Sequence, residues 1–144
     1  TYTVTVDDYG NKRWYSNGKL HREDGPAIEY ATGGEVWYSN GEIHRKDGPA
    51  IEYVNGDKSW YLNSKLHRKD GPAIEYVNGD KSWYLNGQRH CEDGPAIEWA
   101  NGYKEWWVNG KCVTEQDVLN SSQTLEIEGV KYTVAQIKTA LKVA

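Results

Sequence analysis

Tryptophan returns at a fixed step of 23 residues: Trp14, Trp37, Trp60, Trp83 and Trp106. The same step carries Gly10, Gly33, Gly56, Gly79 and Gly102, and Asn17, Asn40, Asn63, Asn86 and Asn109. His21, His44, His67 and His90 follow it, and Asp-Gly-Pro-Ala-Ile-Glu runs begin at Asp24, Asp47, Asp70 and Asp93. The segment HRKDGPAIEYVNGDKSWYLN occurs twice without change, at 44–63 and 67–86. A period this strict dictates a repeat architecture, in which each unit buries its apolar face only against its neighbours.

Within one unit the residues read as β-strands. Ala50-Ile51-Glu52-Tyr53 and Trp60-Tyr61-Leu62 are short and rich in aromatic and β-branched residues. Asn55-Gly56 between them reads as a type I′ hairpin turn, which needs positive φ at both central residues. A second turn falls at Asn63-Ser64, where other units have Asn17-Gly18, Asn40-Gly41 and Asn86-Gly87. Asp-Gly-Pro leads into the next strand, where proline is tolerated at the first position. Each unit therefore supplies two antiparallel strands. Successive units pair edge to edge at ~10 Å per unit, giving a ribbon of roughly 50 Å.

The apolar inventory fits a thin ribbon. The chain has 7 Trp and 11 Tyr but no Phe and no Met, and these rings bury area while keeping a polar tip wet. The fold class expected is all-β: an elongated single-sheet solenoid of about five hairpin repeats in one domain, residues 1–144. Residues 1–12, including the alternating TYTVTV, form an amino-terminal strand cap, and 13–112 hold the repeats. Residues 113–144 form a carboxy-terminal cap, a hairpin over Thr124–Val134 followed by an amphipathic helix. Thr133 and Gln136 make that helix's capping box, and Val134, Ile137 and Leu141 its apolar stripe.

The net charge of −4 leaves no broad basic face for nucleic acid. No apolar run approaches the roughly 20 residues that span a bilayer. Cys91 and Cys112 occupy different slots about a repeat apart, beyond the roughly 7 Å reach of a disulfide. Reduced thiols and a cytoplasmic location are expected.

Each chemical column has a bland and a functional reading. Histidines ~10 Å apart cannot share a metal ion, whose ligands lie within about 2.1 Å. Each histidine either bonds a neighbouring backbone group or its own Asp, or contacts an anion or a partner. Arg22, Arg45 and Arg68, with Lys46 and Lys69, are solvated loop charges or a basic stripe. The Glu29, Glu52, Glu75, Glu98 column lacks the asymmetry and pocket of a catalytic carboxylate pair. No nucleophile elbow, P-loop or dinucleotide fingerprint is present. No enzyme activity, metal or cofactor is expected. Side-chain alternation places Trp, Ile and the Tyr30-Tyr53-Tyr76-Trp99 column on one face, and Tyr15, Tyr38, Tyr61, Tyr84 and Trp107 on the other.

The unit WYLNGxLHRxDGPAIEYxNG resembles the MORN-type repeat, through Trp83, Asn86, Gly87, His90, Gly94, Tyr76 and Gly79. The likeness covers Trp14 to about Gly110. It departs in having His-Arg-x-Asp-Gly-Pro-Ala where MORN repeats have His-Gly. This variant is similar to repeat proteins of large bacteriophages and some giant viruses. The resemblance implies a scaffold or binding module that engages and inhibits a host protein in the host cytoplasm. The binding residues expected are Tyr38, Tyr61, Tyr84 and Trp107, with Arg45, Arg68, His44 and His67 beside them. Two other readings stand: a sponge that stacks a nucleotide on aromatic rings with Arg and His on its phosphates, and a structural spacer or virion part.

Overall fold

The structure, a computed structural model, describes residues 1–127, 130–133, 136 and 137. Short antiparallel strands lie side by side along a ribbon in the order Thr3–Val6, Lys12–Ser16, Ile28–Glu29, Glu35–Val36, Ile51–Glu52, Lys58–Ser59, Ile74–Glu75, Lys81–Ser82, Ile97–Glu98, Lys104–Val108 and Lys111–Val113. The all-β hairpin solenoid read from the period is the observed fold. Register is uniform: Ile51 faces Ser59 and Glu52 faces Lys58, and Ser59 then faces Ile74.

Each of the three inner units holds four two-residue strands rather than two longer ones, because the chain breaks at Trp37, Trp60 and Trp83, whereas the strands through Trp14 and Trp106 run on unbroken. The Trp37, Trp60 and Trp83 amides donate to the carbonyls of Ala50, Ala73 and Ala96, while the same tryptophans accept through their own carbonyls from His44, His67 and His90. One side of the residue thus belongs to the long sheet and the other to a separate hairpin. Those hairpins are Tyr38–Ser39 with Glu42–Ile43, Tyr61–Leu62 with Lys65–Leu66, and Tyr84–Leu85 with Gln88–Arg89. They form a second tier. Gly41 N–H donates to the Leu20 carbonyl at 2.8 Å, Ser64 to Ile43 at 2.9 Å and Gly87 to Leu66 at 2.8 Å, so every hairpin is tied to the preceding one.

The turns differ from expectation at one position. The tight type I′ geometry sits at the hairpin tips, where Asn40 and Gly41 have φ of 53° and 87° and Asn86 and Gly87 have 51° and 82°. Ser64 takes the glycine's place with φ 59°, a left-handed conformation that disfavours a side chain. Asn55-Gly56 is not type I′, since only Gly56 has positive φ, at 91°. There the Tyr53 amide donates to the Asp57 carbonyl and the Gly56 amide to the Tyr53 carbonyl. This loop is one residue longer than a two-residue turn, so a single left-handed glycine suffices.

The core is as thin as the composition implies. Its buried apolar residues are Ala27, Ile28, Val36, Ala50, Ala73, Ala96, Ile97 and Val118, and no large side chain among the described residues is fully enclosed. At the amino-terminal edge Thr3–Val6 pairs along Lys12–Ser16 from Tyr15 to Lys12. At the other end the expected hairpin is present as Thr124–Ile127 with Val130–Thr133. A helix that the sequence reading passed over, α1 (Glu115–Ser122), precedes it. Thr114 caps α1 by accepting from the Asp117 amide while Asp117 accepts from the Thr114 amide, a capping box with Asp in place of Glu or Gln. Thr133 and Gln136 make the reciprocal bonds expected of them, at 2.8 and 3.1 Å. Val134, Leu141 and most of the helix expected there lie outside the described residues. Cys91 and Cys112 are free thiols. Among the described residues no helix is long and apolar enough to cross a membrane.

Candidate functional site

Register decides which side chains share a face. Ile51 pairs with Ser59, and Ser59 alternates with Tyr61, not with Trp60. The isoleucine and Tyr30-Tyr53-Tyr76 columns therefore lie with Tyr38, Tyr61 and Tyr84, not with the tryptophans as first assigned. The earlier assignment was off by one in pairing, which flips every side chain. A cleft of about 300 Å³ lined by Tyr30, Val36, Tyr38, Ile43, Ile51 and Tyr53 places these residues together.

On this tyrosine face the two columns differ in exposure. Tyr38, Tyr61 and Tyr84 are half-buried. Burial pushes the Tyr38 and Tyr61 phenols up, and the neighbouring Tyr53, Tyr84 and Tyr76 add to the effect at Tyr61. Tyr84 Oη accepts from Arg89 Nε at 3.2 Å. Trp107 is also half-buried: its indole N–H donates to Glu105 at 2.8 Å, and the Arg89 guanidinium lies 5.1 Å from its ring centre. The bare residues are the other column and the turn tips. Tyr30, Tyr53 and Tyr76 are 41%, 51% and 45% exposed, and Val54 and Val77 are 68% and 65% exposed. Tyr103 continues the line, its ring 5.1 Å from Trp99. The sequence reading did not select these residues. Their signal was an apolar valine inside a turn, where a polar residue is usual.

The opposite face is built from a repeated stack. The guanidinium carbons of Arg22, Arg45 and Arg68 lie 4.2, 3.8 and 4.0 Å from the ring centres of Trp14, Trp37 and Trp60. Their Nη1 atoms donate to Glu29, Glu52 and Glu75 at 2.8, 3.1 and 2.7 Å, and to the carbonyls of Pro26, Pro49 and Pro72. The Arg45 and Arg68 amides donate to the Tyr61 and Tyr84 carbonyls at 3.2 and 3.1 Å, but their guanidinium groups turn away from the two phenols. Those groups lie on the tryptophan face, held by a ring, a carboxylate and a carbonyl of their own unit.

The histidines tie units together. Nδ1 of His21, His44, His67 and His90 accepts the backbone amides of Asn40, Asn63, Asn86 and Asn109 at 3.0, 3.3, 3.2 and 3.1 Å. Each histidine thus caps the left-handed turn of the following hairpin. Among the described residues, no three His, Cys, Asp or Glu side chains converge in a way that could hold a metal ion.

Between successive His-Arg-x-Asp-Gly loops this face opens into clefts. One of about 570 Å³ lies against Trp60, Leu62 and His67. A larger one of about 930 Å³ lies against Trp83, Leu85, His90 and Cys91, closed at one side by Ser121 of α1. Compared with known proteins, the chain matches no family model and no curated protein.

Proposed function

We propose that this chain is a non-enzymatic binding module that docks a partner protein on its tyrosine face. The observation that carries this reading is the exposed line Tyr30, Tyr53, Val54, Tyr76 and Val77. Exposed apolar residues aligned on one face mark an interaction site, and tyrosine is among the residues that dominate binding energy. Beneath it the half-buried Tyr38, Tyr61 and Tyr84 give the patch a rigid floor. The resemblance to phage-borne repeats makes a host protein, bound and inhibited, the partner this reading favours. Nucleotide sequestration on the tryptophans draws less support, because Trp14, Trp37 and Trp60 are covered by arginines already paired with glutamates.

The test compares the immobilised chain with a Tyr53→Ser/Tyr76→Ser variant in capture from bacterial lysate, read by mass spectrometry. Both residues are about half exposed, so the variant is expected to keep its fold. The expected result is one protein retained at near-equal stoichiometry by the native chain and lost from the variant. A capture unchanged in the folded variant, or no protein retained at all, overturns the reading. The second outcome would favour a structural spacer.

A further inference from the structure

Three repeats contain the same arginine site, and the fourth contains that site without its arginine. In the first three the guanidinium lies between two surfaces. One is the indole, 3.8 to 4.2 Å away. The other is a glycine: a Cβ built on Gly25, Gly48 or Gly71 would come within 2.7, 3.0 or 2.9 Å of the guanidinium carbon of Arg22, Arg45 or Arg68. A side chain there would push the guanidinium out of that gap. The rim is a proline carbonyl and a glutamate, joined in two repeats by an aspartate, with Arg22 Nε 3.1 Å from Asp24 and Arg68 Nε 3.4 Å from Asp70.

The fourth repeat keeps every part of this frame: Trp83, Asp93, Gly94, Pro95 and Glu98. At the arginine position it has Cys91. The thiol stops where an arginine's second side-chain carbon would be. It leans on Asp93 at 3.5 Å, and the nearest atom to a Cβ on Gly94 is this sulfur at 3.7 Å. Among the described residues no other side chain comes within 4 Å of that Cβ, and a cleft of about 930 Å³ opens over Trp83. Glu98 makes a 3.4 Å pair with Lys104. That does not close the site, since Glu29 holds Lys12 at 3.7 Å on one oxygen and Arg22 at 2.8 Å on the other. Burial pushes the Cys91 thiol up, so the slot has a neutral sulfur where its sister sites have a cation.

We propose that Trp83, Gly94, the Pro95 carbonyl and Glu98 form a receptor for an arginine side chain of a bound peptide segment. The three sister sites define the ligand chemistry: a planar cation that stacks on an aromatic ring and forks to a carboxylate, which guanidinium does and ammonium does poorly. The cleft over Trp83 is also lined by Lys69, Asp70, Cys91, Glu92 and Ser121, which leaves room for main chain beside the arginine. A free small guanidine would not use that extension. This site is across the sheet from the tyrosine line and stands or falls separately from it.

The experiment is a heteronuclear NMR titration of the full chain with acetyl-Gly-Arg-Gly-amide. The lysine peptide, agmatine and AMP are run in parallel. The expected result is a saturable shift of the Trp83 indole N–H and the Gly94 amide, with the arginine peptide at least tenfold tighter than the lysine peptide and tighter than agmatine. Cys91→Arg should fill the slot from within, raising Tm by about 2–4 °C and weakening the arginine peptide more than tenfold. Cys91→Ser should leave binding unchanged, and Glu98→Gln should weaken it. The proposal is overturned by no shift at Trp83, by equal response to the lysine peptide, by tighter binding of agmatine or AMP at Trp83, or by a Cys91→Arg chain that binds the peptide as before.

Discussion

Asp7 gathers four donors at the start of the ribbon. Its Oδ1 accepts the amides of Tyr9 and Asn11, and its Oδ2 accepts from the Asn11 side chain and, at 2.8 Å, from Arg13. The Arg13 guanidinium foremost, then Asn11, pulls its pKa from 3.8 down to about 2. A carboxyl whose pKa is lower folded than unfolded contributes stability above the unfolded value, and the contribution is lost as pH falls through the folded one. Stability should therefore drop between about pH 4 and pH 2 more steeply in the native chain than in Asp7→Asn, as read by denaturant midpoints at successive pH. Equal slopes would mean that the cluster does not hold in solution. The same scale explains the histidines. A residue repeated with such regularity invites a functional reading, yet each one turns Nδ1 to the asparagine of the next unit's turn, at its amide and, for His44 and His67, also at its side-chain oxygen 2.7 and 3.0 Å away. Its strict spacing follows from the spacing of the turns it caps.

Along the strands, charge follows a cross-strand order with one break. Lys12 faces Glu29, Glu52 faces Lys58, Lys58 is followed by Glu75 across the ladder, and Lys81 lies between Glu75 and Glu98. In the second unit the lysine position is Glu35, which faces both Glu29 and Glu52. Like charges directly opposed destabilise a sheet. Glu35→Lys should stabilise the chain by about 0.5–1 kcal/mol, and the gain should shrink in high salt. A neutral or destabilising result in low-salt thermal unfolding would show that Arg22 and Arg45 already neutralise the row. The same unit also has Gly34 where Asp57 and Asp80 accept the amides of Val77 and Ala100, so it lacks two devices that its sister units have. Element existence was legible in the sequence because aromatic and β-branched clusters alternate with Asn-Gly. The break at Trp37, Trp60 and Trp83 was not, since it turns on bonds to an alanine thirteen residues ahead and a histidine seven residues ahead. Helix α1 was legible only if Asp117 had been accepted in place of Glu or Gln opposite Thr114. The faces of the candidate site were misjudged because periodicity gives the spacing of side chains along a strand but not the register between strands.

At the scale of the whole molecule the repeat was readable almost completely, because identity between 44–63 and 67–86 requires that two units fold alike. It also makes the array modular. Excising residues 44–66 joins Ile43 to His67 and restores a native junction at every position. The shortened chain should fold cooperatively, with a maximum dimension about 10 Å smaller by X-ray scattering. Its denaturant m-value should fall by about one sixth, since 23 of 144 residues are removed and m scales with the surface exposed on unfolding. A chain that aggregates or loses its transition would show that the second and third units carry distinct tasks.

The two-tier bonding has a mechanical consequence. The bonds between one unit and the next run along the ribbon, not across it. A pull on the two ends therefore loads them one rung at a time, as on a zipper, instead of shearing many together. Each unit that opens releases its 23 residues, about 80 Å of extended chain, before the next is stressed. A protein fastened between two moving bodies by its termini would pay out length in equal steps at low force.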